Sequence, residues 1–312
     1  CNFRCKYCLP REEFGKSHDF IPKTEILSYE EITNFVKACE PLGLRKVRIT
    51  GGEPLLRKDI HHLVRQLSSM DMEVALTTNG SLLENNAADL AESGLSRVTI
   101  SLDAIDQEVH SKITDSKVSV TDILDGISAA IRYELGPVKV NCVVQRGVNE
   151  HQIPKLVRKF RGTGVIVRFI EFMDVGSTNG WSQGQVVPTS EIIDFLSSEF
   201  DLIPLARKSA SDVASRWAHS DGSGEIGFIS SVSQPFCGDC VRARLSSDGK
   251  FFTCLFTTTG HDMSALIKSG GKTEVLTQSI EEVWSAREDR YSEERSSGAI
   301  YLPRVEMSYI GG

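Results

Sequence analysis

Short apolar runs and helical apolar patterns alternate along the first 175 residues. The runs predict five strands, at 46–50, 73–78, 97–102, 138–144 and 165–172. Between and before them, apolar residues recur at intervals of three and four, which predicts amphipathic helices. Those helices span about 32–39, 60–67, 83–91, 123–131 and 153–160. Alternating strands and helices are typical of a parallel sheet with right-handed crossovers, so we expect an α/β fold.

The side chains of each predicted strand divide into an apolar set and a polar set. Successive residues point to opposite faces, so Arg48 lies opposite Ile49. The same alternation places Thr77, Ser101 and Lys139 on the polar side. A doubly wound sheet buries both faces, whereas a barrel carries its site at the carboxyl ends of the strands. We therefore predict an incomplete (β/α)6-type TIM barrel with a polar lumen.

The pattern changes near residue 175 and predicts two domains, 1–195 and 196–312. A short amphipathic helix around Ile192 ends the first domain. The second domain is predicted to be α+β, with a hairpin turn at 247–250. The charged run 281–295 is interpreted as a solvated helical face. Because the first cysteines need a supporting strand, we expect the first barrel strand to precede Cys1 and to be missing from this chain.

Composition and charge exclude several classes of protein. The 312 residues are 40% hydrophobic and 25% charged, which is ordinary for a folded domain and excludes a disordered or collagenous chain. The net charge of −7 makes bulk attraction to nucleic acid or acidic membranes unfavourable, so an anionic substrate would need a local basic cluster. No apolar stretch approaches the roughly 18 residues of a membrane span.

Two of the eight cysteines are predicted to be core residues. Cys39 lies on the apolar side of a helix that begins at a capping box formed by Ser28 and Glu31. Cys142 alternates with valines along a strand. A free cysteine behaves as a small apolar side chain, so both positions suit a core.

The other six cysteines form two trios. Cys1, Cys5 and Cys8 supply three thiols from one loop, without the fourth ligand that structural zinc usually takes. Three thiolates on a four-iron cluster leave one iron open for chemistry, and zinc or a disulfide is the weaker alternative. The second trio, which could equally begin a zinc ribbon when taken alone, consists of Cys237, Cys240 and Cys254.

The motifs around these cysteines resemble the radical S-adenosylmethionine superfamily. The first trio with Tyr7 before its third cysteine, and Gly51-Gly52-Glu53-Pro54 after a strand, carry that resemblance. A strand-to-helix turn is the alternative for the glycine pair alone. The second trio, the run 169–173 and the diglycine ending resemble one family within it, the GTP 3′,8-cyclases of molybdenum cofactor biosynthesis. The likeness spans the whole chain.

The resemblance implies two [4Fe–4S] clusters, one on each trio. The first cluster would bind S-adenosylmethionine and cleave it to the 5′-deoxyadenosyl radical, while the second would bind the guanine of GTP. The implied reaction removes hydrogen from C3′ and closes the ring onto C8, giving (8S)-3′,8-cyclo-7,8-dihydroguanosine 5′-triphosphate. The residues that would contact S-adenosylmethionine are Tyr7, Gly52, Ser101 and Met173. Strand alternation places both Ser101 and Met173 on the predicted lumen-facing side.

Binding a triphosphate to this acidic protein needs a local group of cations. Arginine suits that role because it binds phosphate oxygens through two parallel hydrogen bonds. Arg242 and Arg244 alternate along a predicted strand, so we expect them to point together. The predicted GTP-binding residues are Arg48, Thr77, Lys139, Arg242 and Arg244. The family places its tail in the active site, so Gly311 and Gly312 join Arg48, Arg242 and Arg244 as predicted catalytic residues.

The resemblance also implies partners that no residue pattern reveals. These are a homodimer, a reductant such as flavodoxin or ferredoxin, and a downstream cyclic pyranopterin monophosphate synthase. Oxygen-sensitive clusters favour the cytoplasm, or the mitochondrial matrix in a eukaryote. The family carries an arginine upstream of the first cysteine, so we expect the natural protein to be longer and this piece to be impaired.

Two other function classes stay open at this point. A peptide-modifying radical enzyme usually carries a longer, seven-cysteine pattern near its C-terminus, which this sequence lacks. A non-catalytic metal-binding or redox-sensing protein would explain the thiols but not the cations predicted on the polar face.

Overall fold

The strand–helix alternation builds one eight-stranded sheet. The computed structural model describes residues 1–15, 17–209, 211–295 and 304–311. The strands of the sheet are β1 (Lys46–Ile49), β2 (Glu73–Thr78), β3 (Arg97–Ser101), β4 (Lys139–Val144), β5 (Ile166–Glu171), β6 (Leu202–Leu205), β7 (Ser215–His219) and β8 (Glu225–Ile229). Their order is β1-β2-β3-β4-β5-β8-β7-β6. The five strands expected from the sequence are confirmed as neighbouring parallel strands.

A sixth parallel strand comes from a region where the sequence indicated only irregular, antiparallel structure. β8 pairs with β5 in parallel, and β7 and β6 continue the sheet antiparallel beyond it. The sheet therefore runs on past residue 195. The backbone of β8 can lie close to β5 because Gly227 has no side chain: an added Cβ would approach the Arg168 Cγ to 2.9 Å.

The helices cover the apolar side of the sheet. They are α1 (Tyr29–Cys39), α2 (Ile60–Ser68), α3 (Leu83–Glu92), α4 (Gln107–Thr114), α5 (Val120–Arg132), α6 (Ile153–Phe160) and α7 (Thr189–Ser197). Ser28 and Glu31 cap α1 reciprocally, as predicted. Helix α4 was not predicted, because only Val109 and Ile113 of its eight residues are strongly apolar. Its Asp106 N-cap accepts hydrogen bonds from two amides of the first turn.

The two cysteines assigned to the core lie as predicted. Cys142 is fully buried beside Val140 and Val144 in β4, and Cys39 packs half-buried against a second apolar cluster. That second cluster joins α1 to the C-terminal part of the chain through Phe35 and Phe251.

The C-terminal part contains a three-stranded sheet and short helices. Its elements are β9 (Arg244–Leu245), β10 (Lys250–Phe252), β11 (His261–Asp262), α8 (Ser264–Lys268), α9 (Thr273–Ser285), α10 (Tyr291–Glu294) and α11 (Met307–Ile310). β9 and β10 form the predicted antiparallel hairpin. Among the described residues, no helix combines the length and apolar character needed to cross a membrane.

Two expectations about side-chain placement were wrong. The charged run 281–295 is broken between α9 and α10, and Arg295 pairs with Asp174 with its side chain only 11% exposed rather than solvated. Arg242 precedes the two-residue strand β9, so alternation along a strand does not test whether it points together with Arg244. β5 ends at Glu171 on its buried side, so alternation along the strand does not reach Met173.

Candidate active site

The first cysteine loop is fixed to the carboxyl end of the sheet by its own side chains and amides. Phe3 is buried in the main core, with its ring edge-on to His110 at 5.9 Å between centroids. The amides of Arg4 and Lys6 donate to the two last carbonyls of α4, at 2.8 and 3.2 Å. The loop is therefore held in place by protein contacts alone.

Tyr7 ties the same loop to the end of β3. Its hydroxyl donates to Asp103 Oδ2 at 2.7 Å, and the Val143 amide donates to Oδ1 at 2.8 Å. Burial raises the pKa of Asp103 to about 6, despite these two donors. Asp103 was not singled out from the sequence, although a carboxylate two residues after a strand end is a usable signal.

The thiols of this loop are free, and a cationic metal centre would bind them as thiolates. Cys5 and Cys8 share one turn, in which the Cys8 amide donates to the Cys5 carbonyl at 3.0 Å. Burial, with the neighbouring Cys8, raises the pKa of Cys5 well above its usual value. Burial, with Glu306, raises the pKa of Cys8 to about 12. Thiolates at these positions need a positive partner, which bound metal supplies.

The Gly51-Gly52 turn lies directly against Cys1. A Cβ on Gly52 would stand 2.9 Å from both the Cβ and the amide nitrogen of Cys1. Gly51 has a φ of 151°, which disfavours a side chain there. The turn therefore has no space for any residue but glycine at position 52.

Glu53 locks this turn to the next strand. Its buried carboxylate accepts hydrogen bonds from the Leu55 amide at 3.0 Å, the Thr78 hydroxyl at 2.7 Å and the Asn79 amide at 2.7 Å. The acidic residue of the motif is thus occupied in holding β1 and β2 together at their carboxyl ends.

Cations cover the polar side of the sheet, as strand alternation predicted. Arg48 donates to the hydroxyls of Thr77 and Thr99, at 2.8 and 3.3 Å. Burial, followed by repulsion from three arginines, lowers the pKa of Lys139 to about 8. The structure therefore brings Arg48, Thr77 and Lys139 together across three strands.

Two further arginines of this face were missed. Burial, with Arg48 and Arg97, lowers the pKa of Arg168 to about 10, and Arg168 Nε donates to Asn141 Oδ1 at 2.9 Å. Arg97 pairs with Glu73. Within the described ranges, Arg48, Lys139 and Arg168 form no ion pair. The signal was present, since Arg168 alternates with buried Val167 and Phe169.

The second trio lies beside arginine side chains. Cys240 follows Cys237 in one turn, with a 3.1 Å bond between its amide and the Cys237 carbonyl. Arg242 donates to the Cys240 sulfur at 3.3 and 3.4 Å. Burial acts to raise the pKa of Cys240, but Arg242 and then Arg287 outweigh it, and the pKa is lowered.

Arg244 lies near both sets of residues predicted for this region, the GTP-binding arginine Arg242 and the cluster-binding cysteines. Burial, with repulsion from Arg242, lowers its pKa to about 10, while Cys254 and Cys240 act in the opposite direction. Its guanidinium is thus within electrostatic range of Arg242 and of two cysteines. Neither arginine belongs to an ion pair among the residues that the structure describes.

The remaining predicted residues lie around these groups. Ser101 ends β3, and the Met173 carbonyl accepts a 2.9 Å bond from Asn179. Gly311, with a φ of 79°, contacts the end of β1: an added Cβ would stand 2.6 Å from Thr50 Cγ2. Gly312 lies outside the described residues.

Neither trio is a closed metal cage in this conformation. In residues 1–15, 17–209, 211–295 and 304–311, no three Cys, His, Asp or Glu side chains are grouped to hold a metal ion. Their fit to a metal centre rests on free thiols that share turns, on the charges around them and on the close approach of Gly52 to Cys1. The individual ligand assignments stay predictions.

Two family profiles match this chain. The Radical SAM superfamily profile matches residues 1–160, and the Molybdenum Cofactor Synthesis C profile matches residues 165–293. A GTP 3′,8-cyclase of Acidothermus cellulolyticus is 43% identical over all of this chain and 94% of its own length. One of Xanthomonas axonopodis pv. citri is 44% identical over all of this chain and 93% of its own length.

A solved structure has a similar fold. Streptococcus suis SuiB bound to S-adenosylmethionine superposes with a TM-score of 0.60 at 14% identity, over 92% of this chain and 66% of its own. At that identity the likeness concerns the fold alone.

Proposed function

This chain belongs to the GTP 3′,8-cyclase family within the radical S-adenosylmethionine superfamily, and from that membership we infer its reaction and the residues that perform it. It is the lyase that converts GTP to (8S)-3′,8-cyclo-7,8-dihydroguanosine 5′-triphosphate, the first step of molybdenum cofactor biosynthesis. It uses S-adenosylmethionine and an iron–sulfur cluster.

The first cysteine loop would hold the cluster that binds S-adenosylmethionine. When bound, that group supplies the 5′-deoxyadenosyl radical. Cys1, Cys5 and Cys8 are the proposed ligands, and the missing Cβ of Gly52 lets Cys1 lie directly against the glycine turn. The contacts of Phe3 and Tyr7 hold the loop to the rest of the chain, which would lower the cost of ordering its thiols on binding.

The second trio would hold a second [4Fe–4S] cluster that faces the substrate. Cys237, Cys240 and Cys254 are its proposed ligands. The supporting observation is the contact of Arg242 with the Cys240 sulfur, because a nearby guanidinium stabilises thiolate and offers charge to an anionic nucleotide.

The observation that carries the substrate assignment is the group of cations on the polar side of the sheet. Arg48 lies three residues before Gly51, so this group begins next to the first cysteine loop. Arg48, Lys139 and Arg168 form no ion pair in the described ranges, and the pKa values of Lys139 and Arg168 are lowered, first of all by burial and then by neighbouring arginines. The repulsion among these neighbouring cations is relieved by a bound polyanion, and the triphosphate of GTP supplies one.

The fold proposal follows from the same arrangement. The parallel strands β1–β5 would form the incomplete (β/α)6 barrel, with the cationic side as its lumen, and β8 extends them by one parallel strand. Residues 1–195 supply most of it, and residues 196–312 supply β8 and carry the second trio. The homodimer, the flavodoxin- or ferredoxin-type reductant and the downstream synthase remain part of the proposal through family membership.

Anaerobic reconstitution with iron and sulfide tests this function. The cyclase should take up about eight irons per chain, four for each cluster, and form 5′-deoxyadenosine only when GTP is present. Zinc at one or two per chain without cleavage of S-adenosylmethionine would contradict the proposal. Cleavage that depends on an added peptide and ignores GTP would favour a peptide-modifying enzyme.

A further inference from the structure

The loop that follows β5 holds the C-terminal segment 304–311 at two points, of which Asp174 is the first. Its buried carboxylate accepts bonds from the Tyr291 hydroxyl at 2.5 Å, Arg295 at 3.0 Å and Arg304 at 2.9 Å. The Arg304 guanidinium also lies 4.1 Å from the Tyr291 ring centroid. The segment is therefore tied to the loop by a buried ion pair as it begins.

The second point is Glu306, whose carboxylate lies across residues 176–178. Its Oε1 accepts from the Ser177 amide and its Oε2 from the Thr178 hydroxyl, both at 2.9 Å. Gly176, with a φ of 75°, makes this possible, because an added Cβ would stand 3.3 Å from the Glu306 Cα and closer still to its carboxylate. The loop is thus shaped to accept one side chain of the tail.

These two points determine where the tail goes next. α11 begins after Glu306, and the Tyr309 hydroxyl donates to the Asp248 carboxylate at 2.6 Å. Ile310 is buried, and Gly311 then lies against Thr50 at the end of β1. Thr50 precedes the Gly51-Gly52 turn that backs the first cysteine loop. A continuous set of contacts therefore runs from Glu306 to Cys1.

We propose that Glu306 is a positioning residue for the cyclase reaction, which it serves by seating the C-terminal tail on residues 176–178 so that Gly311 reaches Thr50. The inference rests on the proposed function, since it assigns the tail to the reaction site. Glu306 needs acceptor atoms here more than it needs charge, because both of its partners donate. A glutamine can reproduce the seat by accepting from Ser177 and donating to the Thr178 oxygen, whereas an alanine cannot.

Steady-state kinetics of Glu306→Ala, Glu306→Gln and the wild type, all reconstituted, test the proposal. We expect Glu306→Ala to lower kcat about 10- to 100-fold with a smaller change in the KM for GTP, because a misplacement near 1 Å costs on the order of 10²-fold. We expect more 5′-deoxyadenosine per cyclised product as well. Glu306→Gln should stay within about threefold of wild type in kcat, by the hydrogen-bonding argument above.

Hydrogen exchange and a matched control separate positioning from general instability. Glu306→Ala should speed amide exchange at 307–311 while the rest of the chain keeps its protection and its Tm. Glu288→Ala removes an exposed carboxylate of the same region and should leave kcat and exchange unchanged. Gly176→Ala should reproduce the Glu306→Ala defect and add little to it in the double variant.

Three results would overturn the inference. One is a Glu306→Ala enzyme with wild-type kcat and product ratio, and another is unchanged exchange at 307–311. A Glu306→Gln defect as large as that of alanine would assign the effect to charge near Cys8 instead of seating. A wild-type enzyme that makes no product from GTP would contradict the proposed function itself, which is a separate outcome.

Discussion

The two cysteine trios differ in what surrounds them. The first is anchored by its own chain: Phe3 is in the core, the Tyr7 hydroxyl donates to Asp103, and Gly52 lies against Cys1. The second stands among arginines, with Arg242 on the Cys240 sulfur. Burial raises the pKa values of Cys5 and Cys8 and, in the second trio, of Cys254, whereas the pKa of Cys240 is lowered by Arg242 against the effect of burial.

That difference separates two tasks that one chain must perform. An anchored loop suits a reactive centre that must be held in one geometry, and a cation-flanked turn suits contact with an anionic substrate. We therefore expect changes in the first region to act on turnover and changes in the second to act on GTP affinity. The predictions below test this contrast, beginning with the largest effect.

Removing a proposed cluster ligand of the first cysteine loop should have the largest effect. We expect Cys1→Ala to abolish 5′-deoxyadenosine formation while keeping about half of the iron, since the second trio is untouched. Iron analysis and product chromatography after reconstitution measure both. Cys39→Ala, a cysteine outside both trios, should keep full iron and activity. Loss of all iron from Cys1→Ala would show that the two regions are not independent.

Adding a side chain at Gly52, where the turn lies against Cys1, should have the next largest effect. The Cβ of Gly52→Ala meets the backbone of Cys1 at 2.9 Å, so the loop must shift, and we expect kcat to fall on the order of 10²-fold. Assays stopped at fixed times with saturating GTP measure kcat. Gly184→Ala, where an added Cβ meets nothing within 4 Å, is the matched control. Equal activity of both variants would remove Gly52 from the site.

Replacing an arginine beside the second trio should change the affinity for GTP instead of turnover. We expect Arg244→Ala to weaken GTP binding about ten- to a hundredfold, because a hydrogen bond to a charged group contributes about 1.5–3 kcal/mol. Equilibrium binding of GTP to reconstituted protein measures it, with iron content expected to be unchanged. Arg158→Ala, which breaks an exposed pair with Glu199, should leave affinity as it is. Unchanged binding by Arg244→Ala would refute the assignment.

The smallest expected effect is a pH dependence of GTP affinity. The pKa of Lys139 lies near 8, lowered by burial and then by the arginines around it. Its protonated form attracts triphosphate, so affinity should be complete below that pH and decline several-fold as pH rises through about 8. Binding isotherms on either side of pH 8 measure this. Lys139→Arg stays charged and should flatten the profile, and a persistent decline would assign the titration elsewhere.

The sequence predicted those parts of the fold that depend on local periodicity. The five parallel strands, the capped helix α1, the buried Cys142 and the polar side holding Arg48 and Lys139 follow from spacing alone. The partner of β5 did not, because pairing with β8 brings together segments far apart in the chain, and neither segment carries a local signal of it.

A site residue could be predicted where it belongs to a motif or where strand alternation places it on the polar side. Arg168 and Arg97 were overlooked, although they share the alternation that identified Arg48. Asp103 and Asp174 act through contacts made after folding, with Tyr7 and with Arg304, which no spacing encodes. Arg242 and Arg244 are close although strand alternation does not align them, since β9 has only two residues.

The late position of β8 has a consequence for biosynthesis. On the ribosome, the outer edge of β5 has no partner until residues 225–229 have emerged, and an unpaired edge recruits strands from other molecules. A nascent chain of this protein is therefore exposed to aggregation for the time needed to translate the stretch between β5 and β8. Truncations ending before residue 225 should be recovered as insoluble material, whereas truncations ending after β8 should escape that fate.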